Sequence, residues 1–216
     1  EVVVLDPATQ AEVDAQLAQT REVARRYPTV KDAEAGGWRR SGPYAPGLGA
    51  HYVAMDYNLN EDGIMDPDDI ATPTLIYDGI EPDSVLAGFM YQAFGPAPDV
   101  APDGFVGPND HWHFHTNVCL VRRPEGGVDA PLGADTSAPK ELCDKYGGTL
   151  MANTGYMVHV WTVPGYESTQ GAFSNVNPAL MCADGTYHTI GIEEIGNRTT
   201  ICEDGSAGGH GRRPET

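Results

Sequence analysis

The chain has 216 residues, enough for one large domain with a buried core that does not depend on disulfides. Its formal net charge of −18, from 13 Lys+Arg against 31 Asp+Glu, repels phosphates and so excludes a nucleic-acid partner. Glycine (26) and proline (17) favour turns and short strands over a helical bundle, and no apolar run reaches the length of a membrane span.

The first element is a helix over residues 6–27. Asp6 is its cap and Pro7 its first turn, Val13, Leu17, Ala24 and Tyr27 form an apolar stripe, and Arg21, Arg25 and Arg26 lie late, where the helix dipole favours cations. Pro28 stops it, and a second short helix follows from Thr29 to Ala35, ended by Gly36-Gly37. Residues 1–37 are thus a helical segment packed on a core, residues 38–204 a β-rich domain, and residues 205–216 a flexible, Gly-rich tail. The Glu1-Val2-Val3-Val4 start, without Met, reads as that of a processed chain, and a trimmed one would look the same.

Residues 38–50 read as an extended Gly/Pro loop, followed by a strand, His51 to Tyr57. Residues 58–69 resemble the calcium loop of EF-hand and dockerin modules. Oxygen side chains fall at loop positions 1, 3, 5, 9 and 12 (Asn58, Asn60, Asp62, Asp66, Asp69), with Gly63 at position 6. Asn58 replaces the usual Asp and Asp69 the usual Glu, and the competing reading is an acidic surface turn. Two strands follow, over 73–79 and 84–94, then a loop over 95–109.

The stretch from Gly107 to Leu120 carries the chemistry. His111, His113 and His115 alternate with Trp112 and Phe114. On a β-strand the three imidazoles share one face and the two aromatic rings the other. Alternate residues are about 6.6 Å apart, close enough for two imidazoles to hold one metal ion, while three in a row span about 13 Å. A third ligand therefore comes from a neighbouring strand, and His159 in Tyr156 to Trp161 offers it. The metal set is His113, His115 and His159, with His111 and His51 next. Each of these residues taken alone reads equally well as a polar side chain on a wet strand face. Imidazoles suit copper, zinc or iron, and spacing does not choose among them. The absence of a Met-x-x-Met cluster argues against a Cu(I) carrier.

Beyond it, 122–139 reads as a loop, 140–146 as a helical turn, 151–163 as the His159 strand and 179–202 as strands around a turn. Cys119, Cys143, Cys182 and Cys202 contain no C-x-x-C pair. An even count suits two disulfides in an exported, secreted or periplasmic protein, and local loop closure favours Cys119–Cys143 and Cys182–Cys202. The alternative makes Cys119, four residues after His115, a metal ligand. Asn197-Arg198-Thr199 fits a glycosylation sequon.

Several segments resemble an uncharacterised family of exported bacterial proteins. They are Gly49-Ala50-His51-Tyr52-Val53, Pro73 to Tyr77, Leu86-Ala87-Gly88, His159-Val160-Trp161, Gly171-Ala172-Phe173 and Asn177-Pro178. The resemblance implies a role for His51 and His159 and supplies no reaction. Where relatives often carry a Glu after the Gly, this chain has Phe89 and Met90. A second, partial similarity is to cupins, in which a Gly, five residues and His-x-His begin the metal motif. Gly107 and His113-Phe114-His115 match, Cys119 stands near the Glu position, and His159 lies one residue too far from Gly155. That similarity implies a double-stranded β architecture with His113, His115 and His159 as a facial set.

The expected fold is mainly β, a β-sandwich or cupin-like barrel, with an N-terminal α-helix. Three functions compete. One is an exported protein binding a transition metal. Another is a metal-dependent enzyme, a cupin-like oxygenase or hydrolase, with Glu125, Glu193 or Glu194 as a candidate base. The third is a disulfide-held interaction protein with a calcium loop. No G-x-S-x-G elbow and no Gly-rich phosphate loop is present.

Overall fold

The computed structural model describes residues 2–54, 73–93, 101, 104–122, 128–132, 138–182, 187–190 and 199–202. The calcium-loop candidates Asn58, Asn60, Asp62, Asp66 and Asp69 lie outside them, as do Glu125, Glu193, Glu194, His210 and the 205–216 tail. The fold is mainly β with an N-terminal helix.

Helix α1 spans Pro7–Arg26. Asp6 caps it, its Oδ1 accepting the main-chain N–H groups of Ala8 (3.0 Å) and Thr9 (3.1 Å), and Arg25 and Arg26 close the last turn. Helix α2 (Val30–Ala35) begins at a reciprocal capping box between Thr29 and Asp32. Val13 and Leu17 enter the same apolar core as the sheet residues Leu75, Tyr77, Phe89 and Val158. Gln16 accepts the Val106 N–H at 2.9 Å and so ties the helix to the segment before the histidines.

The main sheet is antiparallel and has five strands: β1 (Trp38–Ala45), β2 (Gly49–Ala54), β3 (Thr74–Tyr77) and β4 (Leu86–Ala93) in sequence order, then β8 (Tyr156–Val160). A second sheet contains β5 (Thr116–Arg122) between β6 (Val128–Leu132) and β7 (Thr149–Asn153), and β9 (Tyr187–Ile190) pairs with β10 (Thr199–Cys202). Helix α3 (Lys140–Lys145) lies beside β5 and β7, and a 3₁₀ turn covers Pro178–Leu180.

The two sheets are joined by the histidine segment. His113 forms an antiparallel bridge with Met157 on the outer edge of β8, and the chain then runs into β5. Asn117 marks that passage with φ 54°, the one non-glycine residue in the left-handed region among the described residues. Asn tolerates that conformation better than most side chains. At the other side of the second sheet β6 comes against β1. The second sheet therefore links opposite edges of the first.

Four sequence expectations need correction. Residues 38–50 contain strand β1, and the loop expected over 122–139 contains β6. Both have prolines inside the strand, Pro43 and Pro131, and proline is tolerated at strand edges and bulges. β1 is an edge strand whose pairing with β2 shifts register between Ser41 and Ala45. The strand expected over 107–120 begins only at Thr116, and the single 151–163 strand is two, β7 and β8, separated at Thr154-Gly155.

Both expected disulfides are present, Cys119–Cys143 and Cys182–Cys202. Cys119 is fully buried and bonded, so it is not a metal ligand. No described helix is long and apolar enough to cross a membrane.

Candidate metal centre

Strand pairing places the first two histidines. Ser41, His51, Ile76 and Gly88 form one row across β1 to β4, and Thr74, Met90 and His159 form the next across β3, β4 and β8. Paired residues share a face, and so do residues two apart on a strand. His51 and His159 are therefore on one face of the sheet. Three inter-strand steps separate β2 from β8, about 14 Å on a flat sheet. Their ring centroids are 5.8 Å apart, so the sheet curls toward this face. Gly88 helps: a Cβ there would lie 2.5 Å from Trp161 Cε3, and the missing side chain leaves room for the indole. The indole stacks on His159 with centroids 5.6 Å apart and 15° between planes, and its Nε1–H donates to the Ser174 carbonyl at 2.7 Å.

Main-chain bonds to β8 and its entry fix the other two. The His113 N–H donates to the Met157 carbonyl at 3.0 Å, and the Met157 N–H returns a bond to the His113 carbonyl at 2.7 Å. The Thr154 N–H donates to the His115 carbonyl, and the Thr154 hydroxyl accepts the His115 N–H, both at 3.0 Å. Met157 is two residues before His159, so His113 comes beside it. The His113 ring lies 5.3 Å from that of His159 and 5.4 Å from that of His115.

Four of the five candidate ligands, His51, His113, His115 and His159, thus gather in one cluster. His111 does not join it. It is exposed and lines a separate open hollow of about 570 Å³ with Asp110, Trp112 and Phe105. The cause is local. Gly107 adopts φ +88°, and the Trp112 indole N–H donates to Asp110 Oδ2 at 2.9 Å, which turns the chain before the first bridge to β8. The aromatic residues separate as well: Trp112 packs on the main core, and Phe114 meets Tyr156 at the surface.

Burial favours the neutral imidazole at His51, His113 and His159. Burial pushes His51 down to about 4, with a smaller contribution from His115 and an opposing one from its bond to the Gly49 main chain. Burial also lowers His113, against the pull of the His111 carbonyl. His159 is held well below the ordinary histidine value by burial and then by His51, His113 and His115. A carbonyl oxygen only accepts, so the 3.4 Å contact of His113 Nδ1 with the His111 carbonyl puts the proton on Nδ1 and leaves Nε2 a free lone pair. The bond of His51 to Gly49 exposes a lone pair on that ring in the same way. His159 is 3% exposed, and its Nδ1 has no hydrogen-bond partner. Thr74 Oγ1, on the same sheet face, is likewise buried without one.

Two sites of support were not read from the sequence. In the sequence Trp161 reads only as part of a motif, and Thr154 only as part of a strand. The alternation of His159 and Trp161 on one strand was the available signal for the stack. Nothing in the sequence marks the Thr154–His115 contact, because it depends on where two sheets meet.

Among the described residues, no three His, Cys, Asp or Glu side chains already converge as a metal-binding group. The adjacent ring pairs His51–His159, His113–His159 and His113–His115 lie 5.8, 5.3 and 5.4 Å apart. With metal–nitrogen bonds of about 2.0–2.1 Å and ring centres about 1 Å farther out, tetrahedral imidazole ligands have centroids about 5 Å apart. No family model, no curated protein and no solved structure matches this chain.

Proposed function

We propose that the protein binds one transition-metal ion through His113, His115 and His159, with His51 as a fourth donor, in an exported setting. The observation that carries this reading is the buried His159 Nδ1, which lacks any partner while the rings of His51, His113 and His115 lie around it. A buried nitrogen without a partner costs about 1–3 kcal/mol, and imidazole nitrogens gathered around it are suitable donors for a cation. The bonds of His51 and His113 to main-chain carbonyls are of the kind that orient metal-ligating histidines. Converging the nitrogens requires rotation about the Cβ–Cγ bonds, a broad two-fold torsion.

The donor set suits copper, zinc or iron. Both disulfides are consistent with an oxidising compartment, which supports export.

The test is titration of metal-free protein with Cu(II) and Zn(II), followed by elemental analysis of the dialysed complex. One ion per chain is expected. His113→Ala combined with His159→Ala should weaken binding at least 100-fold, and His111→Ala should leave it unchanged. Retention of one ion by the double variant would refute the assignment.

A further inference from the structure

A hollow between α1 and the chain that follows β8 carries chemistry that the histidine cluster does not use. It measures about 400 Å³, within the range of small-molecule pockets. Leu17, Trp161, Pro164 and Ala172 give it apolar walls, and Arg21 and Glu167 bring a cation and an anion to the same lining. Bonds fix the shape of those walls. The Trp161 N–H donates to the Ala172 carbonyl at 2.8 Å and closes the loop over 161–172 at its base. Within the loop the Tyr166 N–H donates to the Val163 carbonyl at 2.9 Å, and the Gly171 N–H to the Ser168 carbonyl at 3.1 Å. The Trp161 ring is buried and held by its indole N–H on the Ser174 carbonyl.

The two charged groups are set unlike ordinary surface charges. Arg25 pairs with Glu22 on its own helix at 2.9 Å, whereas Arg21, one turn after Leu17, reaches across to Thr162. The buried Thr162 hydroxyl accepts one guanidinium N–H at 2.6 Å. A guanidinium has five donors, and among the described residues the others of Arg21 meet no acceptor. Glu167 Oε2 accepts the Gly165 N–H at 2.8 Å, and its Oε1 has no partner among those residues. Nor do Arg21 and Glu167 form an ion pair with each other among them. Two opposite charges thus line one hollow, each anchored by a single bond and neither compensated by the other.

We propose that this hollow binds an apolar α-amino acid, with its carboxylate on Arg21, its ammonium on Glu167 and its side chain against the apolar walls. The planar guanidinium fork matches a carboxylate. A simple carboxylic acid meets the repelling charge of Glu167, and a simple amine that of Arg21, so a ligand carrying both groups is favoured over either. Groups already held in place by Thr162 and Gly165 lower the ordering cost of binding. The binding is a reversible association in which no covalent bond changes. Only Trp161 is shared with the surroundings of the histidine cluster, and no metal is required.

The experiment is a nuclear magnetic resonance titration of the full chain with L-leucine, followed at the Trp161 indole N–H and the Gly165 amide. Isocaproate, which is leucine without its ammonium, and isoamylamine, which is leucine without its carboxylate, are titrated in parallel. The expected result is a saturable one-to-one shift of both signals by leucine, with each analogue bound at least tenfold more weakly. Arg21→Gln and Glu167→Gln should each weaken leucine at least tenfold. In Glu167→Gln the preference for leucine over isocaproate should also disappear, which a merely damaged fold would not produce. Signals unmoved by leucine up to its solubility limit overturn the proposal. So does isocaproate or isoamylamine binding the parent chain as tightly as leucine, and so does leucine binding unchanged in the two variants.

Discussion

The five-stranded sheet and the three-stranded sheet solve the same stability problem by different means. The first buries a large set of aromatic and aliphatic residues, among them Trp161, Tyr52, Tyr77, Phe89 and Tyr91, together with Val13 and Leu17 from α1. The second has only Cys119, Val121, Ala138 and Cys143 fully inside, with Tyr146 and Leu150 leaning on them. So small a cluster supplies little hydrophobic driving force, and the Cys119–Cys143 bond makes up the difference. A large core can also carry a burden. The first sheet holds His159, with an unpartnered nitrogen, and Thr74, with an unpartnered hydroxyl, among its buried residues. The second sheet supplies none of that excess, and its contribution to the site is positional: it draws the chain from His113 and His115 into β5.

The comparison breaks most visibly if the disulfide is removed. Closing a loop of this length is worth about 3 kcal/mol in the chain-entropy account. Cys119→Ser with Cys143→Ser should therefore cost about 3 kcal/mol in chemical denaturation. Hydrogen exchange should show the loss concentrated in β5, β6 and β7, with the amides of β3 and β4 still protected. Equal loss of protection in both sheets would mean that the two are one cooperative unit.

The next effect tests whether the core positions the site. Gly88→Ala would drive a methyl group against the buried Trp161 ring and the Val160 carbonyl. The indole is hydrogen-bonded and cannot swing away freely. We expect a loss of about 1–3 kcal/mol in stability. We also expect metal binding weakened about 10-fold or more, as for removal of a group that orients a ligand. A variant destabilised to that extent yet binding metal as tightly as the parent would show that the stack plays no part in placing His159.

The smallest effect is acidic. His51 is lowered in the folded protein to about 4 from the unfolded value of 6.5, so the unfolded chain binds more protons between those limits. Stability is complete above pH 6.5 and is lost as pH falls through the window toward 4. At pH 6 the His51 share of that loss is under about 1 kcal/mol. Denaturation midpoints of metal-free protein at pH 7.5 and pH 6 measure it. His159 is shifted in the same direction, and a His51→Gln, His159→Gln variant should flatten the profile.

Legibility in the sequence followed the range of the interactions. α1, with Asp6 at its cap and Arg25 and Arg26 at its end, obeys local rules, and so do α3 and the β3 and β4 strands. The disulfides were legible because each closes a local loop. β1 and β6 were hidden by Gly42, Pro43 and Pro131, whose local preference for turns is overridden by pairing with β2 and β5. The histidine triplet shows both sides. Its alternation sets His113 beside His115, whose rings lie 5.4 Å apart, yet regular strand spacing does not hold back to His111, where the Asp110–Trp112 bond governs. The His51 ring lies 5.8 Å from that of His159 although the sequence places the two far apart. Its nearness to His159 depends on the curl of the sheet and the gap at Gly88, and neither is a property of the residues around it in sequence.

The measurement that bears most directly on the centre is anomalous diffraction from crystals of the protein soaked in Zn(II) or Cu(II), recorded on both sides of the metal absorption edge. The account predicts one strong peak about 2.0–2.2 Å from imidazole nitrogens of His113, His115 and His159, with His51 facing it. A fully loaded crystal whose only peaks lie at surface carboxylates or beside His111, with the His159 Nδ1 still unpartnered, would contradict it.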